Sequence, residues 1–321
     1  MTPSREDSAI SMDFDHQPVM LQEILETFEL LEDGLFVDAT IGGGGHAEAL
    51  LSGAPQRELV GVDRDESAVQ VASARLKRFG DRVQVHHARF DEISTILDDD
   101  RPLTGAIFDL GVSSHQLDTP ERGFSHRFAS PLDMRMDLSA SLNASTVVNS
   151  YDEDELAYIL RHNSDERFAR RIARSIVAAR PIESTTELAE LVRNAVPAAT
   201  RRTGRHPAMR TFQAIRIAVN DELGLIEPAL KQIIERLRPG GRIVVLSYHS
   251  GEDRIVKQVF REAADGVCVC PSTLPCICGS ESSVKLLRRK VIRPTPEEIE
   301  ANPRSASARF RAAERLSVGE A

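Results

Sequence analysis

The segment best equipped for chemistry is Asp38-Ala39-Thr40-Ile41-Gly42-Gly43-Gly44-Gly45-His46. Glycines allow a backbone to approach a ligand closely. Asp63, Phe90 and Asp109 stand further along, each close behind a short apolar run. A phosphate-cradling Walker loop would require Gly-Lys-Ser/Thr, which does not follow. A dinucleotide loop is matched on glycines alone, by Gly42-x-Gly44-x-x-Ala47 with Asp63 about 20 residues on. Asp38 tips the balance, because a carboxylate is unhelpful beside a pyrophosphate. It suits S-adenosylmethionine, which carries an ammonium and a sulfonium but no phosphate. Asp63 can accept both hydroxyls of a ribose, Phe90 can pack on an adenine ring, and Asp109 supplies a third acid. Singly, each of these aspartates reads equally well as a turn or cap residue.

The elements that must position these residues follow from the apolar pattern. Short buried runs at Leu35–Ala39, Leu59–Asp63, Val83–His87 and Gly105–Asp109 read as strands, with helices at 18–31, 47–51 and 67–79. Such alternation implies βαβ units and a parallel sheet, with ligands bound beyond the carboxyl ends of the strands. Residues 118–208 show no convincing strand and read as loops followed by helices near 152–162, 165–180 and 185–196, the last capped by Ser184 or Thr185. A long helical pattern then runs from Phe212 to Leu237, bent at Pro228, into a fifth strand at Arg242–Ser247; sixth and seventh strands fit 285–292 and 307–315. The expected architecture is α/β: residues 1–117 and 209–321 form a cofactor-binding sheet domain, interrupted after strand four by a helical insertion domain at 118–208.

Composition sets the outer bounds. The chain has 321 residues, 41% hydrophobic and 28% charged, which suits a soluble globular protein. No apolar run approaches the ~20 residues that span a bilayer, and the first residues lack an apolar signal region, so the expected location is the cytoplasm with no membrane partner. Residues 1–12 are polar and aperiodic and are expected to be disordered. A net charge of −9 argues against indiscriminate nucleic-acid binding, but arginines crowd residues 161–210. Trp is absent and Tyr scarce, which disfavours stacking platforms built from those rings.

Beyond the cofactor segment, His16-Gln17-Pro18-Val19-Met20, Asp109-Leu110-Gly111-Val112-Ser113-Ser114-His115-Gln116-Leu117-Asp118 and Arg122-Gly123-Phe124-Ser125 stand out. So do Pro131-Leu132-Asp133-Met134-Arg135-Met136-Asp137, Glu166-Arg167-Phe168-Ala169, His206-Pro207-Ala208-Met209-Arg210-Thr211-Phe212-Gln213-Ala214, Ser247-Tyr248-His249-Ser250 and Glu252–Lys257. In these words and their order the chain resembles the ribosomal RNA small-subunit methyltransferase H (MraW) family over nearly its whole length. The resemblance implies a class I (Rossmann-like) methyltransferase sheet and methylation of N4 of a cytidine in the decoding region of 16S rRNA, with the small ribosomal subunit as partner. It places the cofactor site on Gly44, Gly45, His46, Asp63, Phe90, Asp109 and Gln116; Asp38 and Gly42 join them from the chemistry above. The sequence departs from the family at Gly251, where Leu is usual, and at His115, where Pro is common.

A cytosine amine is a poor nucleophile, and acceptors aimed at it would localise its lone pair. The candidates are Ser113 and Ser114 after strand four and His249 after strand five, although a backbone-bonding role suits each as well. The target base must leave its stack to reach such a site. Arg161, Arg167, Arg170, Arg171, Arg174, Arg201, Arg202, Arg205 and Arg210 are candidates for phosphates, and Arg135 and Arg210 carry most weight because they sit in family words. Cys268, Cys270, Cys276 and Cys278 form C-x-C-x5-C-x-C, not the usual C-x2-C zinc spacing; four thiolates can hold zinc, but reduced thiols are the simpler expectation and no metal is assigned. Nothing in the sequence indicates an oligomer. Two other classes stay open: a nicotinamide-dependent oxidoreductase, opposed by Asp38, and a non-catalytic RNA-binding assembly factor with a zinc knuckle.

Overall fold

The computed structural model describes residues 18–31, 33–97, 101–199, 206–266, 270 and 281–317. The stretch 1–12, Arg201, Arg202 and Arg205, and the cysteine segment apart from half-buried Cys270 therefore lie outside the described residues. The chain opens with α1 (Leu21–Glu29), β1 (Leu35–Asp38), α2 (Gly45–Gly53), β2 (Glu58–Asp63), α3 (Glu66–Leu76), β3 (Val83–His87), α4 (Ile93–Ile96) and β4 (Leu103–Asp109). A helical stretch follows: α5 (Ser114–Asp118), α6 (Ala144–Ser150), α7 (Glu153–Ser164), α8 (Ala169–Ala178), α9 (Thr185–Ala195), α10 (Ala208–Asn220) and α11 (Ile226–Arg236). The chain then returns through β5 (Leu237–Ser247), α12 (Ser250–Asp265), β6 (Val284–Leu286), α13 (Pro296–Ala301) and β7 (Arg309–Arg315).

The strands form one sheet in the order β3-β2-β1-β4-β5-β7-β6. β1 to β5 are parallel, as the alternation predicts, but β7 runs antiparallel to both β5 and β6. The uniformly parallel expectation is corrected there, because a strand's apolar alternation carries no direction; its connection and partners set that. Alternate residues bury opposite faces. Val37, Val62, Phe108 and Val245 pack with α11 and α12, while Phe36, Leu59, Ile107 and Leu246 pack with α1, α2 and α3.

The helical stretch has its own buried cluster, built from Val147, Leu156, Leu160, Ile172, Ile176, Leu188 and Val192 and continuing through Phe212, Ile215 and Val219 of α10. Helix starts are fixed locally. Ser184 rather than Thr185 caps α9, in a reciprocal box with Glu187, and Asp152 does the same for α7 with Glu155; such caps contribute about 1 kcal/mol each. Thr185 is fully buried, accepting from Ser130 N–H at 3.1 Å. The long helical pattern breaks at Asp221 (φ 48°, ψ 41°), not at Pro228, which lies in the first turn of α11. Proline is tolerated there because first-turn N–H groups lack intrahelical partners. Helices α6 and α12 are additions to the sequence reading; α12 buries Val256, Val259 and Phe260 on one face.

Candidate active site

Register brings the three strand-ending aspartates to one edge. Asp38 pairs in line with Gly61 of β2 and Ile107 of β4, so Asp63 and Asp109 each stand two residues beyond it. Above that edge opens a solvent-connected cavity, at the carboxyl ends of the strands where open α/β sheets bind their ligands. Gly42, Asp63, Phe90, Asp109, Ser113 and Gln116 line it, so six of the sequence-derived candidates converge.

Asp63 is held by backbone donors: Gly42 N–H reaches Oδ2 and Asp65 N–H reaches Oδ1, both at 2.9 Å. Burial pushes its carboxyl up to about 6 against those two bonds. Its remaining lone pairs face the cavity, where a diol would find them. Phe90 lies edge-on to Phe108, with centroids 5.9 Å apart, which fixes the ring as a flat apolar wall. Asp109 N–H donates to Thr40 Oγ1 at 2.6 Å, and its Oδ1 accepts from Tyr248 Oη at 2.7 Å. Burial raises the Asp109 carboxyl, and His46 and Tyr248 pull it partly back. Gly111 (φ 104°) turns the chain over the cavity where a Cβ would meet the Tyr248 ring at 3.4 Å.

Apart from Ser114, the other candidates stand outside the cavity wall. Asp38 lies beneath it, accepting from Thr40 N–H at 3.2 Å through Oδ1. Its Oδ2 is buried with no hydrogen-bond donor among the described residues. Burial, reinforced by Asp109 and Asp63, pushes the Asp38 carboxyl up to about 7. A Cβ on Gly45 would meet Pro18 Cγ at 2.6 Å, so that glycine admits the chain entering α1; on Gly44, a Cβ would touch α3 at Ala72 and Leu76. His46 is buried, with Nε2 3.0 Å from Val19 O and Nδ1 3.9 Å from Asp109 Oδ2, so it acts on the site through Asp109. Ser114 is the first residue of α5; its side chain is outside what the structure describes.

Two candidate contacts with the acceptor amine are better explained as caps. Ser113 Oγ accepts from Gln116 N–H at 3.2 Å and Gln116 Oε1 accepts from Ser113 N–H at 3.1 Å, a box that starts α5 at the cavity rim. His249 turns away from the cavity. Its Nδ1 accepts from Gly251 N–H (3.1 Å) and Glu252 N–H (3.4 Å) as the N-cap of α12, and its Nε2 sits 3.0 Å from Glu252 Oε1 but out of line for a hydrogen bond. The residues from this end of β5 that do line the cavity are Tyr248 and Glu252. Their neighbourhood was legible in the word Ser247-Tyr248-His249-Ser250, but which side chain points inward depends on the strand's pleat and the turn into α12. His249→Ala is therefore expected to cost about 1 kcal/mol of stability, as a lost N-cap, and to lower the melting temperature by about 2–4 °C. Its kcat should stay within about threefold, because a cap contributes little of a barrier in which 1.36 kcal/mol is tenfold. Thermal unfolding and initial rates check this, and a thousand-fold rate loss at unchanged stability would restore a catalytic histidine.

Arg135 and Arg210 are both engaged. Arg135 chelates Asp133 through Nε and Nη2 (2.8 Å each) and donates to the carbonyls of Leu138 and Ala140, organising its own loop. Arg210 is exposed and donates to Asp165 O at 3.2 Å. Arg161, Arg167, Arg170, Arg171 and Arg174 are exposed, with Arg170 and Arg174 lying 3.6 and 3.3 Å from Asp154 and Glu153. Among the described residues, no group of acids, histidines and cysteines could hold a metal, and no helix is long and apolar enough to cross a membrane.

These residues fit S-adenosylmethionine. Asp109 in the wall, with Asp38 buried within electrostatic reach of it, suits a cationic group, while Asp63 and Phe90 suit a ribose and an adenine. Asp38 and Asp63 also predict a pH dependence. Their folded-state values lie above the ordinary carboxylate range, so their protonation favours the empty fold at low pH, and that contribution is lost as pH rises through about 6 to 7. A cationic ligand binds the ionised forms. Affinity for S-adenosylmethionine should rise several-fold between pH 5 and 7, with proton release on binding. Calorimetry in buffers of different ionisation enthalpy tests this, and a flat profile would remove the two carboxylates from the binding equilibrium.

The profile of the MraW methylase family matches residues 13–316. A ribosomal RNA small subunit methyltransferase H from Pelobacter propionicus is 49% identical, over 94% of this chain and 99% of its own. Those from Symbiobacterium thermophilum (48%; 96% and 99%) and Heliobacterium modesticaldum (47%; 95% and 100%) are similarly close. The crystal structure of an rRNA methylase from Streptococcus thermophilus is a distant likeness, at 13% identity and a TM-score of 0.41 over 91% of this chain and 92% of that one. With its strand order, its cavity at the carboxyl edge and this match over nearly its full length, the chain belongs to the MraW methylase family and has the class I methyltransferase fold.

Proposed function

We propose that this chain is an S-adenosylmethionine-dependent rRNA methyltransferase that modifies N4 of a cytidine in the decoding region of 16S rRNA, in the cytoplasm. The observation that carries the reading is the cavity itself: Asp63, Asp109 and Phe90 lining one space, in a member of a methylase family. The rRNA substrate follows from what the relatives are named, and N4 and the decoding region from the family resemblance.

When bound, S-adenosylmethionine supplies an electrophilic methyl group on a sulfonium. Asp63 holds and orients the ribose, Phe90 packs on the base, and Asp109 with Asp38 beneath it gives the cationic end an anionic floor. Tyr248 donates to Asp109 and thereby holds its carboxylate in one orientation. Aligning amine and methyl in this way is worth several kcal/mol of barrier. Ser113, at the rim, caps α5 and so sets the edge of the cavity that a flipped base would meet. Residues 118–208 form the RNA-recognition layer in this reading, with Arg210 and the exposed arginines of α8 facing phosphates and Arg135 shaping the loop that carries Met136 into the cavity wall.

The deciding experiment is incubation with labelled S-adenosylmethionine and small subunits that lack the modification, followed by mass analysis of the nucleosides. N4-methylcytidine at one site is the expected result. Methylation of another base would overturn the assignment of the target, and absence of transfer would favour the non-catalytic assembly factor.

A further inference from the structure

The loop after β2 carries two aspartates with different tasks. Asp63 faces the cavity, whereas Asp65, only 3% exposed, binds four donors. Oδ1 accepts from Ser67 N–H (3.1 Å) and Ser67 Oγ (2.6 Å), an ordinary cap for α3. Oδ2 accepts from Gln116 Nε2 and pairs with Arg122 Nη1, both at 2.9 Å, and neither contact is needed for capping.

Those two partners lead in different directions. Gln116 is a wall of the cofactor cavity. Arg122 is 9% exposed and its Nη2 donates to the carbonyls of Arg135 and Met136, both at 2.9 Å. That fixes the backbone that carries Met136 into the same cavity. Asn220, at the end of α10, closes the circuit: Oδ1 accepts from Met136 N–H (2.8 Å), Nδ2 donates to Met134 O (2.7 Å), and its carbonyl accepts from Arg64 Nη1 (2.7 Å). The tripeptide Asp63-Arg64-Asp65 thus touches the cavity, α5, the loop at 134–136 and α10.

We propose that Asp65 is a positioning residue that couples the cofactor cavity to the helical layer, so that filling the one and ordering the other stabilise each other. The proposal rests on the reading of the cavity as an S-adenosylmethionine site. Because Gln116 and Arg122 share a single buried oxygen, a shift of the Asp65 carboxylate that follows one of them loosens its bond to the other, and a bond lost in a water-poor site is not replaced. Coupling of this kind is reciprocal: cofactor should tighten binding of the RNA substrate, and RNA should tighten binding of cofactor.

The test follows amide hydrogen exchange of the full chain with S-adenosylhomocysteine as the probe. In the wild type, the probe should slow exchange about tenfold both at 113–117 and at 133–137. In Asp65→Asn the new amide N–H faces two donors, so the probe should still protect 113–117 while protection at 133–137 falls to less than about twofold. Arg122→Lys keeps the charge but cannot hold the carboxylate and both carbonyls together; it should show the same loss and serves if the first variant folds poorly. With unmethylated small subunits, the probe should tighten wild-type binding about fivefold, and this ratio should fall to about one in either variant. Probe binding with undiminished protection of 133–137 in both variants would overturn the coupling and leave the cofactor reading standing. Failure of the wild type to bind the probe would overturn both.

Discussion

Asp63→Ala is expected to weaken S-adenosylmethionine binding at least about 100-fold while the protein stays folded. The side chain holds Gly42 N–H and Asp65 N–H, each at 2.9 Å, so its removal unpins the glycine loop as well as the ribose. Hydrogen bonds to a charged group contribute about 1.5–3 kcal/mol each; losing two ligand bonds is about 3 kcal/mol or more, and 1.4 kcal/mol is tenfold in affinity. Asp63→Asn keeps one acceptor and should fall between, near tenfold. Isothermal calorimetry reads both variants directly. If Asp63→Ala bound within threefold of the wild type, the ribose would have to be placed elsewhere.

The second large effect is expected at Asp109. Asp109→Ala should lower methyl transfer about 1,000-fold: about tenfold from a lost charge-assisted contact, and about 100-fold from a reacting group displaced by an ångström or so. The variant should also lose about 1–3 kcal/mol of stability, because the buried Tyr248 hydroxyl loses the acceptor it holds at 2.7 Å. That second loss separates structure from chemistry. Adding Tyr248→Phe removes the orphaned hydroxyl and should return most of the stability but none of the activity. Single-turnover transfer and thermal unfolding measure the two parts. Near-normal turnover in the single variant would sink the role given to Asp109, and recovery of turnover in the double variant would mean that its effect was only structural.

Both effects centre on residues that could be named from the chain alone, and the reason is local. An aspartate at the end of a short buried run is a pattern of adjacent residues, so Asp38, Asp63 and Asp109 announced themselves, and the cap of α9 was narrowed to Ser184 or Thr185. The five parallel strands were equally legible, because buried runs alternating with amphipathic helices admit few arrangements.

What the sequence left open depends on which way side chains point once distant segments meet. His249 and Tyr248 are neighbours in one word, yet the pleat of β5 and the start of α12 turn the tyrosine to Asp109 and the histidine to its own helix. Gly45 and His46 sit in the cofactor segment but pack against Pro18 and Val19, from a helix entrance that only the fold brings near. Arg135 was a candidate for phosphate because it sits in a family word; the fold engages it with Asp133 and two carbonyls. The direction of β7 was likewise invisible, since alternation is the same read either way. Asp65 gave no local signal beyond a helix cap, because its second oxygen is used by residues 51 and 57 positions away. The sequence by itself determined the five parallel strands, the acids and the cofactor they suit. Only the tertiary structure decided which of those residues form the cavity wall and which of them act through another, because hydrogen bonds between elements depend on distances that no local pattern encodes.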